Sequence, residues 1–113
     1  MITIYHNPRC QKSRQALALL NEKGQDIVIK EYLKEPPTKE ELRQVIDLLD
    51  IKPLQLIRKN EAEFKDHFKG QDLTDEEWIE AMTKYPKLIE RPIVITDKKA
   101  ILGRPPENVL EVL

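Results

Sequence analysis

Residues 6 to 14, His-Asn-Pro-Arg-Cys-Gln-Lys-Ser-Arg, set a single thiol among cations. An apolar, strand-like run from Met1 to Tyr5 precedes them, and a helix-like run starting near Ser13 follows. Cys10, the only cysteine of the chain, is therefore expected at a strand-to-helix turn. A helix N-terminus offers unpaired N–H groups and roughly half a positive charge, and so favours an anion. For a thiol that anion is its own thiolate. Cysteines so placed titrate between about 3.5 and 7.5 rather than near 8.5, and the thiolate is the nucleophile. Arg9 beside the thiol and Arg14 one helical turn on add positive charge.

Three further arginines have suggestive neighbours. Arg91 and Arg104 each precede proline, which biases them toward extended backbone at the end of a β element. Arg58 lies at the end of a short helix, within Leu-Ile-Arg-Lys-Asn. Guanidinium groups grip tetrahedral oxyanions through paired N–H donors, a fork that lysine lacks. A thiolate with three arginines suits an oxyanion that sulfur attacks. Each residue also has a plainer reading: Cys10 as a small buried hydrophobe, the arginines as solvated surface charges, His6 as a strand-end surface residue. Ser13 fits a helix cap, a hydrogen-bond donor to sulfur, or both. Catalysis requires the sulfur to be ionised near neutrality, reachable by solute, and approached by converging guanidinium groups. His67 has no evident partner, and one cysteine with two separated histidines does not make a zinc site.

The elements that position these residues follow from apolar periodicity. Ile2 and Ile4 with Thr3 and Tyr5 leave both faces of the first strand fairly apolar, as for a strand covered on both sides. Ala16, Leu17 and Leu20 recur at helical spacing after Ser13, and Gly24 ends that helix. Residues 26 to 33 read as a second strand, which a right-handed crossover sets parallel to the first. Pro36-Pro37 ends this unit. Thr38…Glu41 and Thr74…Glu77 have the form of capping boxes. Each opens a helix, the first carrying Leu42, Val45, Ile46 and Leu49, the second Trp78, Ala81, Met82 and Tyr85. A short helix starts near Leu54, and residues 61 to 73 form a weak helix and a loop. Residues 93 to 96 and 100 to 102 make a hairpin across Asp97-Lys98. Pro105-Pro106 opens a final helix with Val109, Leu110 and Leu113 on its buried side. The expected class is α/β: a four-stranded mixed sheet in the order β-α-β, helical insertion, β-β-α. The chain reads as a single domain, 1–113, with the insertion at about 34–90.

The length of 113 residues and the 40% apolar content suffice for one core. Nineteen basic side chains nearly cancel twenty acidic ones, leaving a net charge of −1 and no reason to expect nucleic acid or an anionic membrane as partner. No apolar run approaches the roughly 20 residues of a membrane helix, and no secretory pattern opens the chain. A lone cysteine suits a reducing cytoplasm, and any redox role must borrow its second thiol from another molecule.

The chain resembles the arsenate reductase family of the thioredoxin superfamily, in its glutaredoxin-coupled bacterial branch. The resemblance runs nearly end to end. It is carried by Ile4-Tyr-His-Asn-Pro-Arg-Cys10 with Ser13-Arg14, by Tyr32-Leu33 before Pro36-Pro37, and by Leu56-Ile-Arg-Lys-Asn60. Pro86-Lys-Leu-Ile-Glu-Arg-Pro-Ile-Val94 and Gly103-Arg-Pro-Pro-Glu107 complete it. The resemblance implies a thioredoxin-like fold and a cis Arg91–Pro92 peptide facing the thiol. It implies Cys10 as nucleophile, His6 and Ser13 beside it, and Arg58, Arg91 and Arg104 as oxyanion ligands. It further implies an oxidoreductase that reduces arsenate to arsenite, with glutathione as co-substrate, glutaredoxin as partner and no tightly bound cofactor.

The chain departs from this pattern in its loop. Gln11-Lys12 follow the cysteine where well-characterised members carry small residues, Arg9 replaces a small residue before it, and Gly103 stands where some members have cysteine. The thiol is also compatible with a general glutathione-dependent thiol reductase. A non-enzymatic relative of the Spx regulators that bind RNA polymerase is the third reading, although Ser13 removes their usual Cys-x-x-Cys switch. A monothiol glutaredoxin holding an iron–sulfur cluster would need Gly-Phe where Gln11-Lys12 stand.

Overall fold

Burial on both faces of the first strand sets the frame. In a computed structural model that describes residues 2–113, β1 (Ile2–Tyr5) buries Ile2, Ile4 and Tyr5, so side chains on both of its faces leave water. Met1, expected to begin this strand, lies outside the described residues. β1 pairs in parallel with β2 (Ile27–Lys30), and the twelve-residue helix α1 (Gln11–Glu22) supplies the crossover. It pairs antiparallel with β3 (Ile93–Ile95), which pairs antiparallel with β4 (Ala100–Leu102). The sheet order β2-β1-β3-β4 is the thioredoxin-like arrangement that the resemblance implies.

The chain divides into two compact units, one of the residues up to Glu35 with Arg91–Leu113, the other Pro36–Glu90. In the first, Ile2 and Ile4 of β1, Ala16 and Leu20 of α1, Val94 of β3 and Val109 of the C-terminal helix form a water-excluded core. Burying each large aliphatic side chain contributes about 1.5–3 kcal/mol; α1 supplies Leu20 and the small Ala16 to this core, with Leu17 and Leu19 packed partly against it. Val109 belongs to a 3-10 helix, Pro106–Val112, rather than the expected α-helix. β2 is shorter than the 26–33 expected from its β-branched residues. The carbonyl of Glu31 accepts the N–H groups of Lys34 and Glu35, both at 3.0 Å, and this turns the chain out of the sheet. Across the β3–β4 turn, Thr96 Oγ1 accepts from the N–H groups of Lys98 and Lys99.

The second unit contains α2 (Lys39–Leu49), α3 (Ala62–His67) and α4 (Asp75–Lys84), with 3-10 turns at Pro53–Leu56 and Pro86–Leu88. Both capping boxes form. Thr38 and Glu41 exchange side-chain-to-backbone hydrogen bonds at 3.0 and 3.1 Å, and Thr74 and Glu77 do so at 2.9 and 3.2 Å. Trp78, Ala81 and Met82 are buried as their helical spacing requires, and Phe64 stacks on Trp78. His67, for which the sequence offered no partner, stacks on Tyr85 at 5.1 Å. No helix among the described residues is long and apolar enough to cross a membrane.

Gly103 marks the tightest backbone approach in the first unit. Its N–H donates to the Pro92 carbonyl at 2.9 Å, and a Cβ there would lie 2.7 Å from Pro92 Cγ and 3.0 Å from Val109 Cγ1. A cysteine at this position, as some members of the resembled family carry, would require both neighbours to shift. Gly103→Ala is accordingly expected to destabilise the protein by about 1–3 kcal/mol, the usual cost of overpacking. A lowered urea midpoint with an unchanged denaturant slope is the expected result, and an unchanged midpoint would show that the space opens freely.

Candidate active site

The loop between β1 and α1 is built to hold its cysteine at the helix start. Asn7-Pro8 cannot continue as helix. The Asn7 side chain instead accepts the N–H of Arg9 at 3.0 Å, and its carbonyl accepts the N–H of Cys10 at 2.9 Å. Cys10 is the N-cap of α1, with extended backbone (φ −93°, ψ 122°), and its carbonyl accepts the Arg14 N–H. The helix thus begins at Gln11, two residues earlier than expected, which leaves the cysteine directly on the helix end.

Burial pushes the Cys10 thiol up, as it does any ionising group in a poorly solvated site. That effect is outweighed by the backbone N–H of Ser13, the charge of Arg91, the N–H of Lys12 and a hydrogen bond from Arg91, and the thiol titrates below its ordinary value. The thiol is free and the residue 8% exposed. The effective cation is Arg91, which lies 81 positions further along the chain. Arg14, expected to act on the thiol, directs Nη1 to the Pro8 carbonyl at 3.0 Å and so braces the loop. Arg9 is exposed.

Arg91 enters this unit at the start of β3. The Arg91–Pro92 peptide is cis, as the resemblance implies, and Arg104–Pro105 is cis as well. Two nitrogens of the Arg91 guanidinium, Nε and Nη1, are buried. Arg104 Nε donates to the Arg91 carbonyl at 2.9 Å, which links the two arginines, and Asn108 Nδ2 donates in turn to the Arg104 carbonyl. Of the three expected guanidinium groups, Arg91 thus acts on the thiol by charge and hydrogen bond, and Arg104 is tied to the backbone of Arg91. Arg58 belongs to the Pro36–Glu90 unit. There its Nη1 donates to Glu61 at 2.5 Å, its Nε lies 3.8 Å from Glu90, and its own N–H bonds the Leu88 carbonyl.

His6 and Ser13 meet as well. His6 Nδ1 lies 2.6 Å from Ser13 Oγ, and that hydroxyl oxygen accepts the Asn7 N–H at 3.1 Å. Ser13 is fully buried in the first turn of α1, and its hydroxyl ties His6 and Asn7 to the helix rather than capping it. Burial lowers the His6 pKa; Glu31 opposes this and Arg14 adds to it, and the net shift is downward. The ring therefore stays neutral at neutral pH, a hydrogen-bonding prop for the loop and not a fixed cation beside the thiolate. No local pattern in the sequence links Glu31 to this pair.

The ArsC family model matches residues 5–112, nearly the whole chain. This chain belongs to the ArsC family. It is 42% identical over 114 residues to an arsenate reductase of Haemophilus influenzae, covering 99% of this chain and 98% of that protein. It is equally similar, over the same share of this chain and 96% of the relative, to the Escherichia coli protein YfgD, which is named as uncharacterized. Among solved structures, the arsenate reductase from Vibrio cholerae superposes with a TM-score of 0.95 at 42% identity, covering 99% of this chain and 97% of that one. The ArsC fold and the order of its elements thus hold along the full chain.

The thiol's position has two measurable consequences. Alkylation of Cys10 by iodoacetamide, followed against pH, should show an inflection below that of a free thiol. Arg91→Ala should move the inflection upward, and an unmoved profile would remove Arg91 as the controlling cation. Because the folded thiol titrates below the unfolded one, unfolding takes up a proton between the two values. Stability should therefore rise with pH across that window and be lost as pH falls through the folded value, a slope that Cys10→Ser should abolish.

Proposed function

We propose that this ArsC-family chain is an oxidoreductase that reduces arsenate to arsenite, with the Cys10 thiolate as nucleophile and glutathione and glutaredoxin as reductants. The observation that carries the proposal is the Arg91 guanidinium bonded to a thiol at the N-terminus of α1. The same positive field that favours a thiolate favours an oxyanion brought against it, so nucleophile and substrate are stabilised by one arrangement. Arg91 and Arg104, linked through the Arg91 carbonyl, supply fork donors from adjacent backbone. Arg58 is included on the family resemblance, and its pairing with Glu61 and Glu90 fixes the side chain within its own unit.

The steps follow from the single cysteine. Cys10 sulfur forms a bond to arsenic while one arsenic–oxygen bond breaks, the oxygen leaving as hydroxide or, after taking a proton, as water. A glutathione thiol then displaces a second oxygen, so that arsenic(V) carries both sulfurs. Glutaredoxin thiolate attacks the glutathione sulfur; the arsenic–sulfur electron pair stays on arsenic, which becomes arsenic(III), and the mixed disulfide departs. Water finally displaces Cys10 to release arsenite. No second cysteine of this chain is required, in keeping with its count of one.

NADPH oxidation coupled through glutathione reductase, glutathione and glutaredoxin tests this directly. Arsenate-dependent turnover should vanish in Cys10→Ser and fall at least about tenfold in Arg91→Ala, equivalent to roughly 1.4 kcal/mol of barrier. Turnover of a glutathionylated disulfide in place of arsenate would make the protein a general thiol reductase instead. Arsenate turnover driven equally by thioredoxin would overturn the assigned reductant and leave the substrate standing.

A further inference from the structure

We propose that β2 is a self-association edge, through which two copies of this chain pair antiparallel about Val28 and join their sheets. The sheet has two outer strands, β2 and β4, and their side chains differ in a way that bears on pairing. β2 exposes Val28 by 44% and Ile29 by 51%, on opposite faces of the strand, with Leu33 exposed by 38% just beyond it. Outer strands are usually guarded by charge, bulges or proline. Ile27, Val28 and Ile29 carry none of these.

The backbone specifies which registers can bond. The N–H of Ile2 donates to the Asp26 carbonyl at 3.1 Å and that of His6 to the Lys30 carbonyl at 2.9 Å, so even-numbered residues of β2 turn toward β1. Alternation along a strand then turns the N–H and C=O of Ile27 and Ile29 to the open side. An antiparallel partner centred on Val28 sets Ile27 against the partner's Ile29 and Ile29 against the partner's Ile27. Each of these pairs exchanges two backbone hydrogen bonds, four across the two-fold axis.

Charge selects this register over its neighbours. Centring on Val28 sets Asp26 opposite the partner's Lys30 and Lys30 opposite the partner's Asp26, two opposite-charge cross-strand pairs on one face. Moving the centre to Ile27 or Ile29 keeps the hydrogen bonding but loses both pairs. β4, Ala100–Leu102, holds no charged residue that would select a self-pairing register. Because β2 meets its own copy about a two-fold axis, the contact is isologous and closes at two chains.

Sedimentation equilibrium on the full chain, from about 1 µM to about 1 mM, should give a mass rising to twice 13.3 kDa and no further. Asp26→Lys and Lys30→Asp should each raise the dimer dissociation constant by about tenfold or more, because each sets like charges opposite one another. The double exchange restores the opposition and should recover dimerisation to within a few fold of wild type, with circular dichroism confirming the fold of each variant. Should a charge variant fail to fold, amide exchange on the unaltered protein decides. The Ile27 and Ile29 amides should become more protected as chain concentration rises. A single-chain mass throughout, single exchanges that leave dimerisation intact, a folded double exchange that stays monomeric, or amides indifferent to concentration would each overturn the proposal.

Discussion

The competition between burial and fixed positive charge at Cys10 governs the chemistry of this fold. Burial alone would hold the thiol protonated and inert. Two backbone N–H groups and the Arg91 guanidinium outweigh that effect and lower the thiol pKa below its ordinary value, and each arrives by a separate structural route. The N–H groups of Lys12 and Ser13 are available because α1 starts at the residue after the cysteine, and the guanidinium because Arg91 leads into β3. Antiparallel pairing of β3 to β1 places the two chain segments at the same end of the sheet, with Tyr5 opposite Ile93. Sheet register is therefore the means by which a residue distant in sequence helps to lower the thiol pKa.

The remaining groups of the site act on position rather than charge. Ser13 Oγ receives the Asn7 N–H and meets His6 Nδ1, so one buried hydroxyl fastens both ends of the loop to the first turn of the helix. Arg14 does the same from the exposed side through the Pro8 carbonyl. Since burial lowers the His6 pKa, the loop gains stiffness without a fixed cation at His6. A thiolate flanked by a permanently charged imidazole would be more stable and a poorer nucleophile, because nucleophilicity falls as thiol pKa falls.

Much of this was legible in the sequence, and what was not has physical causes. The strand-to-helix turn at Cys10, the hairpin across Asp97-Lys98 and both threonine capping boxes are local features, written in residues within four positions of one another. The length of β2 was not legible. Ile27 to Leu33 have strand-forming side chains, but the Glu31 carbonyl diverts the backbone, an interaction with no mark in composition. The cation that acts on the thiol was legible only in part, for a similar reason. Proximity in sequence favoured Arg9 and Arg14, whereas the side-chain directions set by the loop turn Arg14 to a carbonyl and leave the thiol to Arg91. Arginine-proline pairs flagged Arg91 and Arg104 as candidates, yet their connection through the Arg91 carbonyl arises only when β3 and the end of β4 lie side by side.

The departures in the loop bear on what the site accepts. Gln11 and Lys12 occupy the first two positions of α1 and are both exposed, so their side chains leave the thiol while their N–H groups stay at the helix end. Substituting large residues there changes the rim of the site without altering the dipole beneath it. The environment of the sulfur depends on backbone geometry, which the loop keeps; what can approach it depends on side chains at the rim, which the loop changes. Members with small residues after the cysteine and this chain are thus expected to share a nucleophile of one kind and to differ in what reaches it.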